Sequence, residues 1–302
     1  MPAAIRRWIE RVVGNGASIE EVAPLVGATS SAVHVVDIAT RSGGLRLVLR
    51  HELLPAWLEE EPDALAHEAA NLRLLEASDL PAPEVVAVDA DGSDCGAPAL
   101  LLTWLPGRVE LRPDDLDGWL ERLAAPIQRI HAVAPGDHPW RHESYGVPEP
   151  VPPPWSNQRE LWAEAIEIAA GPPPPPATQM RFIHRDYHPC NVLWQGTEVS
   201  GIVDWTLGCV GPGGVDLSHC RGNLQKMYGL EVADRFLEQY EASAGSDSAY
   251  HPYWDILQLV ENLPHPPRVY APWAAFGLHG LDEQLMLERT QEYLASVLAR
   301  LR

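Results

Sequence analysis

Apolar and polar residues alternate in short runs near the start of the chain and recur at intervals of three and four further on. Over residues 19–50, "IEEVAPLVGATSSAVHVVDIATRSGGLRLVLR", three apolar pieces are separated by "GATSS" and "RSGG". The second and third pieces, "AVHVVDIAT" and "LRLVLR", interleave β-branched or aliphatic residues with polar ones, which predicts strands joined by Gly-containing turns in a small antiparallel sheet. The period then changes. In "PDALAHEAANLRLLEASDLPAPEV", residues 62–85, Leu65, Ala69, Leu72 and Leu75 recur at helical spacing, with Pro62-Asp63 as a start signal and Pro81 beyond the end. Glu68 lies on that apolar stripe, where a carboxylate needs a cationic partner.

Residues 85–107, "VVAVDADGSDCGAPALLLTWLPG", predict a hairpin closing on a turn at Pro106-Gly107. Beyond it the pattern is helical: 116–131, 158–169, 217–243, 253–262 and 281–301 all carry apolar residues three and four apart. The proline clusters "PEPVPPPW" and "GPPPPPA" punctuate this part as stiff extended loops. Within it, "RFI" and "VLW" flank a polar loop, and the turn "QGTE" leads to "VSGIVDW". No internal repeat is present. A sheet-rich first third with one helix, followed by a mainly helical remainder, predicts an α+β chain divided at 1–104 and 105–302.

Composition narrows the class. With 302 residues, 46% hydrophobic and 21% charged, the chain is globular in character and long enough for one large domain or two lobes. No window has the apolar length of a membrane span, and the start "MPAAIRRWIERVV" has no leader pattern, so the expectation is a cytoplasmic protein without a membrane partner. Cys95, Cys190, Cys209 and Cys220 lack metal-type spacing and scaffold density, which predicts free thiols. A net charge of -20 repels nucleic acid; it serves solubility or attracts a polycationic small molecule. Of 22 basic residues all but Lys226 are arginine, so a cation needed before that position must be Arg or His.

The polar loop carries the chemistry. Residues 181–194 read "RFIHRDYHPCNVLW". Phosphoryl transfer needs a carboxylate to orient the attacking hydroxyl and oxygen ligands for magnesium. Asp186 and, five residues on, Asn191 offer a base candidate and a metal-ligand candidate on one loop. Asp204, at the end of an apolar strand, offers a harder oxygen, and magnesium favours such sparse carboxylate and amide ligation.

This combination, H-x-D-x-x-x-x-N with "VSGIVDW" after it, resembles the aminoglycoside phosphotransferase family of kinase-like small-molecule phosphotransferases, from about Val22 to Asn223. The resemblance implies a bilobal protein-kinase-like fold, with a small antiparallel-sheet nucleotide lobe and a larger, mainly helical catalytic and substrate lobe. It implies that Asp186 is the catalytic carboxylate, that Asn191 and Asp204 hold magnesium, and that His184 braces the loop. The turn with Gly27, Thr29, Ser30 and Ser31 stands where family members cover phosphates, and equally reads as an ordinary hairpin turn. Arg50 occupies the place of a phosphate-binding lysine, with Glu68 as its partner; a purely structural Arg50–Glu68 pair is the alternative. Thr103, Trp104 and Leu105 match the segment whose backbone meets a purine edge of ATP or GTP. Asp216 resembles an aspartate that steadies the catalytic region, or caps a helix starting at Leu217.

Departures from the pattern exclude neighbours of the family. Trp205 follows Asp204 where protein kinases carry Phe-Gly, and the only "APE", residues 82–84, precedes the catalytic loop, which argues against a protein kinase. Cys190 replaces a glycine often found before the asparagine. For the acceptor, the C-terminal helices offer Glu238, Glu241, Asp255 and Glu261, with Tyr253 and Trp254 beside Asp255 as an amphipathic face for a sugar-like or cyclic cation. The expected activity is magnesium-dependent transfer of the γ-phosphoryl group of ATP or GTP to a hydroxyl of a small molecule. The acceptor is an aminoglycoside or other cationic antibiotic, or else a macrolide, cyclic peptide, sugar or choline-like metabolite. A non-catalytic nucleotide-binding regulator is the competing class. Monomer and homodimer are both open.

Overall fold

The computed structural model describes residues 1–25, 32–51, 63–147, 149–173, 179–263 and 265–302. In chain order the elements are α1 (Ala3–Val13), β1 (Ser18–Pro24), β2 (Ala32–Thr40), β3 (Gly43–His51), α2 (Ala64–Leu75), β4 (Val85–Asp89) and β5 (Ala99–Thr103). There follow β6 (Arg108–Val109), α3 (Leu116–His131), α4 (Arg159–Ala170), β7 (Met180–Ile183), β8 (Val192–Gln195), β9 (Glu198–Ile202) and β10 (Cys209–Pro212). The chain ends in α5 (Gly214–Tyr228), α6 (Leu230–Ala244), α7 (Pro252–Glu261), α8 (Pro272–Ala275) and α9 (Glu283–Leu301). It packs as two compact units, Met1–Arg108 with Leu193–Leu207, and Val109–Val192 with Gly208–Arg302.

The first unit is built on a five-stranded antiparallel sheet in the order β1-β2-β3-β5-β4. Alternation along the strands sorts residues to two faces. Val36 and Ile38 of β2 and Leu47 and Leu49 of β3 turn to one face and pack with Ile5, Trp8 and Ile9 of α1. Those three α1 residues recur at helical spacing, so α1 is an amphipathic core helix, a second helix beside the one the periodicity predicts. Arg50, one step beyond Leu49, faces the opposite side of the sheet and is buried there. The β8–β9 hairpin belongs to this unit by packing, although a division at 104/105 assigns it to the later part of the chain. Its end is tied in by Ile202 N–H, which donates to Pro81 O at 2.8 Å.

The second unit is mainly helical. Trp162, Ala165, Ile256, Leu259, Val260, Tyr293, Leu294 and Val297 from α4, α7 and α9 form its larger apolar cluster. Helix starts are chemically marked: Asp115 and Asp282 accept the N–H groups of Gly118 and Leu285 at 3.0 and 2.8 Å. The span 217–243, continuous by periodicity, is two helices. Gly229, at φ +98°, ends α5 and starts α6, a backbone conformation that L side chains rarely adopt. At the other end of α5, Gly214 lets the chain pass against Trp254, where a Cβ would stand 2.1 Å from the indole Cδ1. The antiparallel pair β7 and β10 sits directly before the polar loop and before α5, respectively. No helix among the described residues is long and apolar enough to cross a membrane.

Candidate functional site

In the first unit the functional side chains gather around one guanidinium. Arg50 Nη1 donates to Glu68 Oε2 at 2.7 Å, and Nη2 donates to Asp204 Oδ1 at 2.9 Å. Thr206 Oγ1 accepts from Nη1 as well and donates to Asp204 Oδ1 at 2.9 Å. Strand alternation supplies the arginine and the helical stripe of α2 supplies the glutamate, so the expected Arg50–Glu68 partnership is present. Asn71, one turn after Glu68, donates to Trp205 O at 2.6 Å and fixes the turn that carries Asp204. Burial pushes the Glu68 carboxyl above its ordinary pKa, and the charge of Asp204 adds to this against the pull of Arg50. Asp204 takes a left-handed backbone, φ +64°, which Asp tolerates better than most residues. Two neighbours of this group, Asn71 and Thr206, belong to no motif; the signal for Asn71 is a second polar residue on the apolar stripe.

Thr103 pairs with Glu84 through its N–H and its hydroxyl, at 3.0 and 2.8 Å. The Arg46 guanidinium lies 5.7 Å from the centroid of the Trp104 ring, and Leu105 is half-buried. Gly27, Thr29, Ser30 and Ser31 lie outside the described residues.

In the second unit the loop after β7 is organised from two sides. Asn191 Nδ2 donates to Asp186 Oδ2 at 3.0 Å and to Asp186 O at 2.9 Å, which closes the D-x-x-x-x-N loop on itself. Helix α5 supplies the other side with two residues one turn apart. Asp216 is fully buried and accepts the N–H groups of His184 and Arg185 at 3.1 and 2.6 Å, and its Oδ2 lies 3.0 Å from His131 Nε2. These bonds hold Arg185 at φ +69°, an uncommon conformation for a long side chain. The helix starts at Gly214 rather than Leu217, so Asp216 lies inside its first turn and clamps the loop instead of capping the helix. His219 Nε2 stands 2.9 Å from Asp186 Oδ1. His219 lies one turn after Asp216 on the same helix, and that spacing is its only trace in the sequence.

The charges follow from this packing. Burial acts to raise the Asp186 carboxyl, but His188, the hydrogen bond and charge of His219, and His184 outweigh it and hold the group well below the usual carboxylate range. Asp216 is also lowered: burial opposes ionisation, while the His131 bond and charge, His184 and the His184 N–H favour it. Cys190, in the loop, is pushed up to about 12 by burial with Asp186 adding to it, so it is an inert thiol. None of the four cysteines is in a disulfide, and all four are buried.

The proposed acceptor wall is only partly available. Asp255 is fully buried; its Oδ2 accepts from Arg221 Nη1 and from Tyr250 Oη at 2.7 Å, so it is an internal counter-ion and not a ligand group. Tyr253 and Trp254 beside it are buried core residues. Glu261 accepts the N–H of Tyr145 at 3.0 Å and the hydroxyl of Ser144, which employs it in holding a loop. Glu238 and Glu241 are exposed on α6.

The chain is similar to a curated relative, to solved structures and to one family model. Homoserine kinase of Methylocella silvestris is 28% identical over 170 residues, 48% of this chain and 49% of that protein. The match thus spans about half the length of this curated relative. Among solved structures, a thermostable mutant of aminoglycoside phosphotransferase APH(4)-Ia in ternary complex with ADP and hygromycin B superposes over 97% of this chain and 99% of its own, with a TM-score of 0.61 at 13% identity. The apoenzyme of macrolide 2'-phosphotransferase MphH from Brachybacterium faecium covers 98% of each chain, with a TM-score of 0.57 at 16% identity. Likeness at these identities establishes the kinase-like α+β fold that the sequence predicts. The model of APH, the phosphotransferase enzyme family, matches residues 21–256, and the chain belongs to that family.

Proposed function

We propose that the protein transfers the γ-phosphoryl group of ATP or GTP to a hydroxyl of a small molecule, with Asp186 as the catalytic carboxylate. The observation that carries this reading is the closed loop in which Asn191 holds Asp186 from one side and His219 from the other. A carboxylate held so far below its ordinary pKa is a weak base, and it stays ionised throughout the working range. Its contribution is then orientation: it accepts the hydroxyl's hydrogen bond, sets the attacking lone pair in line, and takes the proton only as the bond to phosphorus forms. That suits a loose transition state, in which positioning and charge stabilisation matter more than early deprotonation.

The donor set suits magnesium. Because the Asn191 amide nitrogen is committed to Asp186, the amide oxygen remains for a cation, and Asp204 adds a carboxylate one-third exposed. Asn191 and Asp204 would hold the ion, which when bound neutralises charge on the nucleotide phosphates. Arg50, fixed by Glu68, supplies the cation that the chain's lack of lysine in this half requires. Thr103, Trp104 and Leu105 supply the purine-facing segment in this proposal.

For the acceptor, the net charge of -20 favours a cationic, hydroxylated molecule such as an aminoglycoside. The homoserine kinase relative supports a second reading, an amino-acid alcohol. The test is release of ADP or GDP with aminoglycosides, macrolides, homoserine and choline as acceptors. Acceptor-dependent release sustains the reading, and tight nucleotide binding without turnover on any acceptor favours a non-catalytic module.

A further inference from the structure

We propose that Asp186, His188 and His219 form a three-ligand site for a transition-metal cation of the Zn2+ class, and that filling it shuts off phosphoryl transfer by occupying Asp186. The inhibitory half of this proposal rests on the proposed role of Asp186; the binding half does not.

One ligand atom from each residue lies within 4.8 Å of the other two. His219 Nε2 is 2.9 Å from Asp186 Oδ1, and His188 Nε2 is 3.8 Å from Asp186 Oδ2. The two imidazoles meet edge to face, with centroids 5.6 Å apart and planes at 65°. A tetrahedral cation with bonds of about 2.0–2.1 Å spaces its ligand atoms roughly 3.4 Å apart, within the spread seen here, so small ring rotations complete the arrangement. Two imidazoles and one carboxylate with a fourth position open is a ligand set that selects zinc, cobalt or iron over magnesium, which favours oxygen donors. The site also differs in composition from the proposed magnesium pair, since neither Asn191 nor Asp204 belongs to it.

Its surroundings are those of a built site. Asn191 Nδ2 fixes Asp186 Oδ2 and so leaves Oδ1 directed at His219. His219 Nδ1 lies 3.2 Å from Gln258 Nε2. With the amide nitrogen presented, neutral His219 keeps its proton on Nε2, toward Asp186. Rotation of the Gln258 amide presents its oxygen instead; the imidazole proton then exchanges through solvent from Nε2 to Nδ1, and Nε2 becomes a metal donor with an oriented second partner. The His188 ring is buried and packs edge-on against Tyr270, at 6.3 Å, which limits its rotation.

The test uses the full chain without nucleotide, titrated with Co2+ and followed by its visible absorption. The expected result is one Co2+ per chain with an intense tetrahedral-type spectrum, displaced by Zn2+ and not by Mg2+. His219→Gln keeps a hydrogen-bond donor toward Asp186, and His188→Ala removes the other ring; each lowers Co2+ affinity by at least about tenfold, whereas Asp204→Ala leaves it unchanged. With an acceptor that turns over, rising Zn2+ at fixed magnesium-nucleotide lowers the wild-type rate, and His219→Gln needs at least about tenfold more Zn2+ for the same fractional loss. No one-to-one Co2+ spectrum, or unchanged affinity in both histidine variants, would overturn the site. Full turnover at saturating Zn2+ would overturn the inhibitory role. Metal binding without turnover on any acceptor would defeat the phosphotransferase reading and leave the metal site standing; turnover without metal binding would do the reverse.

Discussion

Arg50 donates to Glu68 Oε2 at 2.7 Å while its other nitrogen donates to Asp204 Oδ1 at 2.9 Å, so one buried guanidinium ties the helix stripe to the turn that ends β9. Removing Glu68 leaves a buried cation with only one carboxylate. Glu68→Ala is therefore expected to lower stability by about 3 kcal/mol, measured by urea unfolding at neutral pH. Glu68→Gln costs less. It keeps the shape and a hydrogen-bonding oxygen, and it resembles the protonated form that burial already favours by raising the pKa. A loss from Glu68→Ala of only a few tenths of a kcal/mol would show that the pair does not hold this unit together.

Asp216 predicts a pH dependence. Its folded-state pKa lies below the ordinary 3.8, so its stabilisation is present above that value and is lost as pH falls through the lower folded value. Stability measured by denaturant unfolding should decline below about pH 4, and Asp216→Asn should flatten that decline while lowering stability at pH 7. An acid limb of the same steepness in the variant would assign the titration to another group.

Gly214 meets the Trp254 indole where no Cβ fits. Gly214→Ala must shift the start of α5, which carries both Asp216 and His219. A loss of about 1–3 kcal/mol is expected, read as a lower midpoint in thermal or urea unfolding. Wild-type stability in this variant would mean that Trp254 moves aside freely.

The thiols should be silent in the native protein. Burial raises Cys95 and Cys190 to about 12 and pushes Cys220 well above the ordinary thiol value, and all four cysteines are buried. A chromogenic disulfide reagent at pH 8 is expected to react only after denaturant is added, and then with all four. Rapid native labelling of Cys190 would contradict the inert role given to it.

Much of this was legible in the residues because local pattern decided it. Leu47 and Leu49 alternating with Arg50 place a cation on one sheet face, and Glu68 on an apolar stripe announces its need for one. The polar loop between two apolar runs stands where the pattern predicts it. Other features depended on contacts distant in sequence. Asp255 looks like a ligand group until Arg221, on another helix, is seen to neutralise it. His219 touches Asp186 only because α5 returns beside the loop, and no periodicity records that approach. The span 217–243 hides its break because Gly229 interrupts the backbone without interrupting the apolar rhythm.

The most direct measurement compares Asp186→Ala with wild type in steady-state nucleotide turnover on an active acceptor, alongside nucleotide affinity measured by calorimetry. The proposed role predicts a fall in kcat of about a thousandfold with nucleotide Kd changed by less than about threefold. A variant that keeps most of its rate would contradict it.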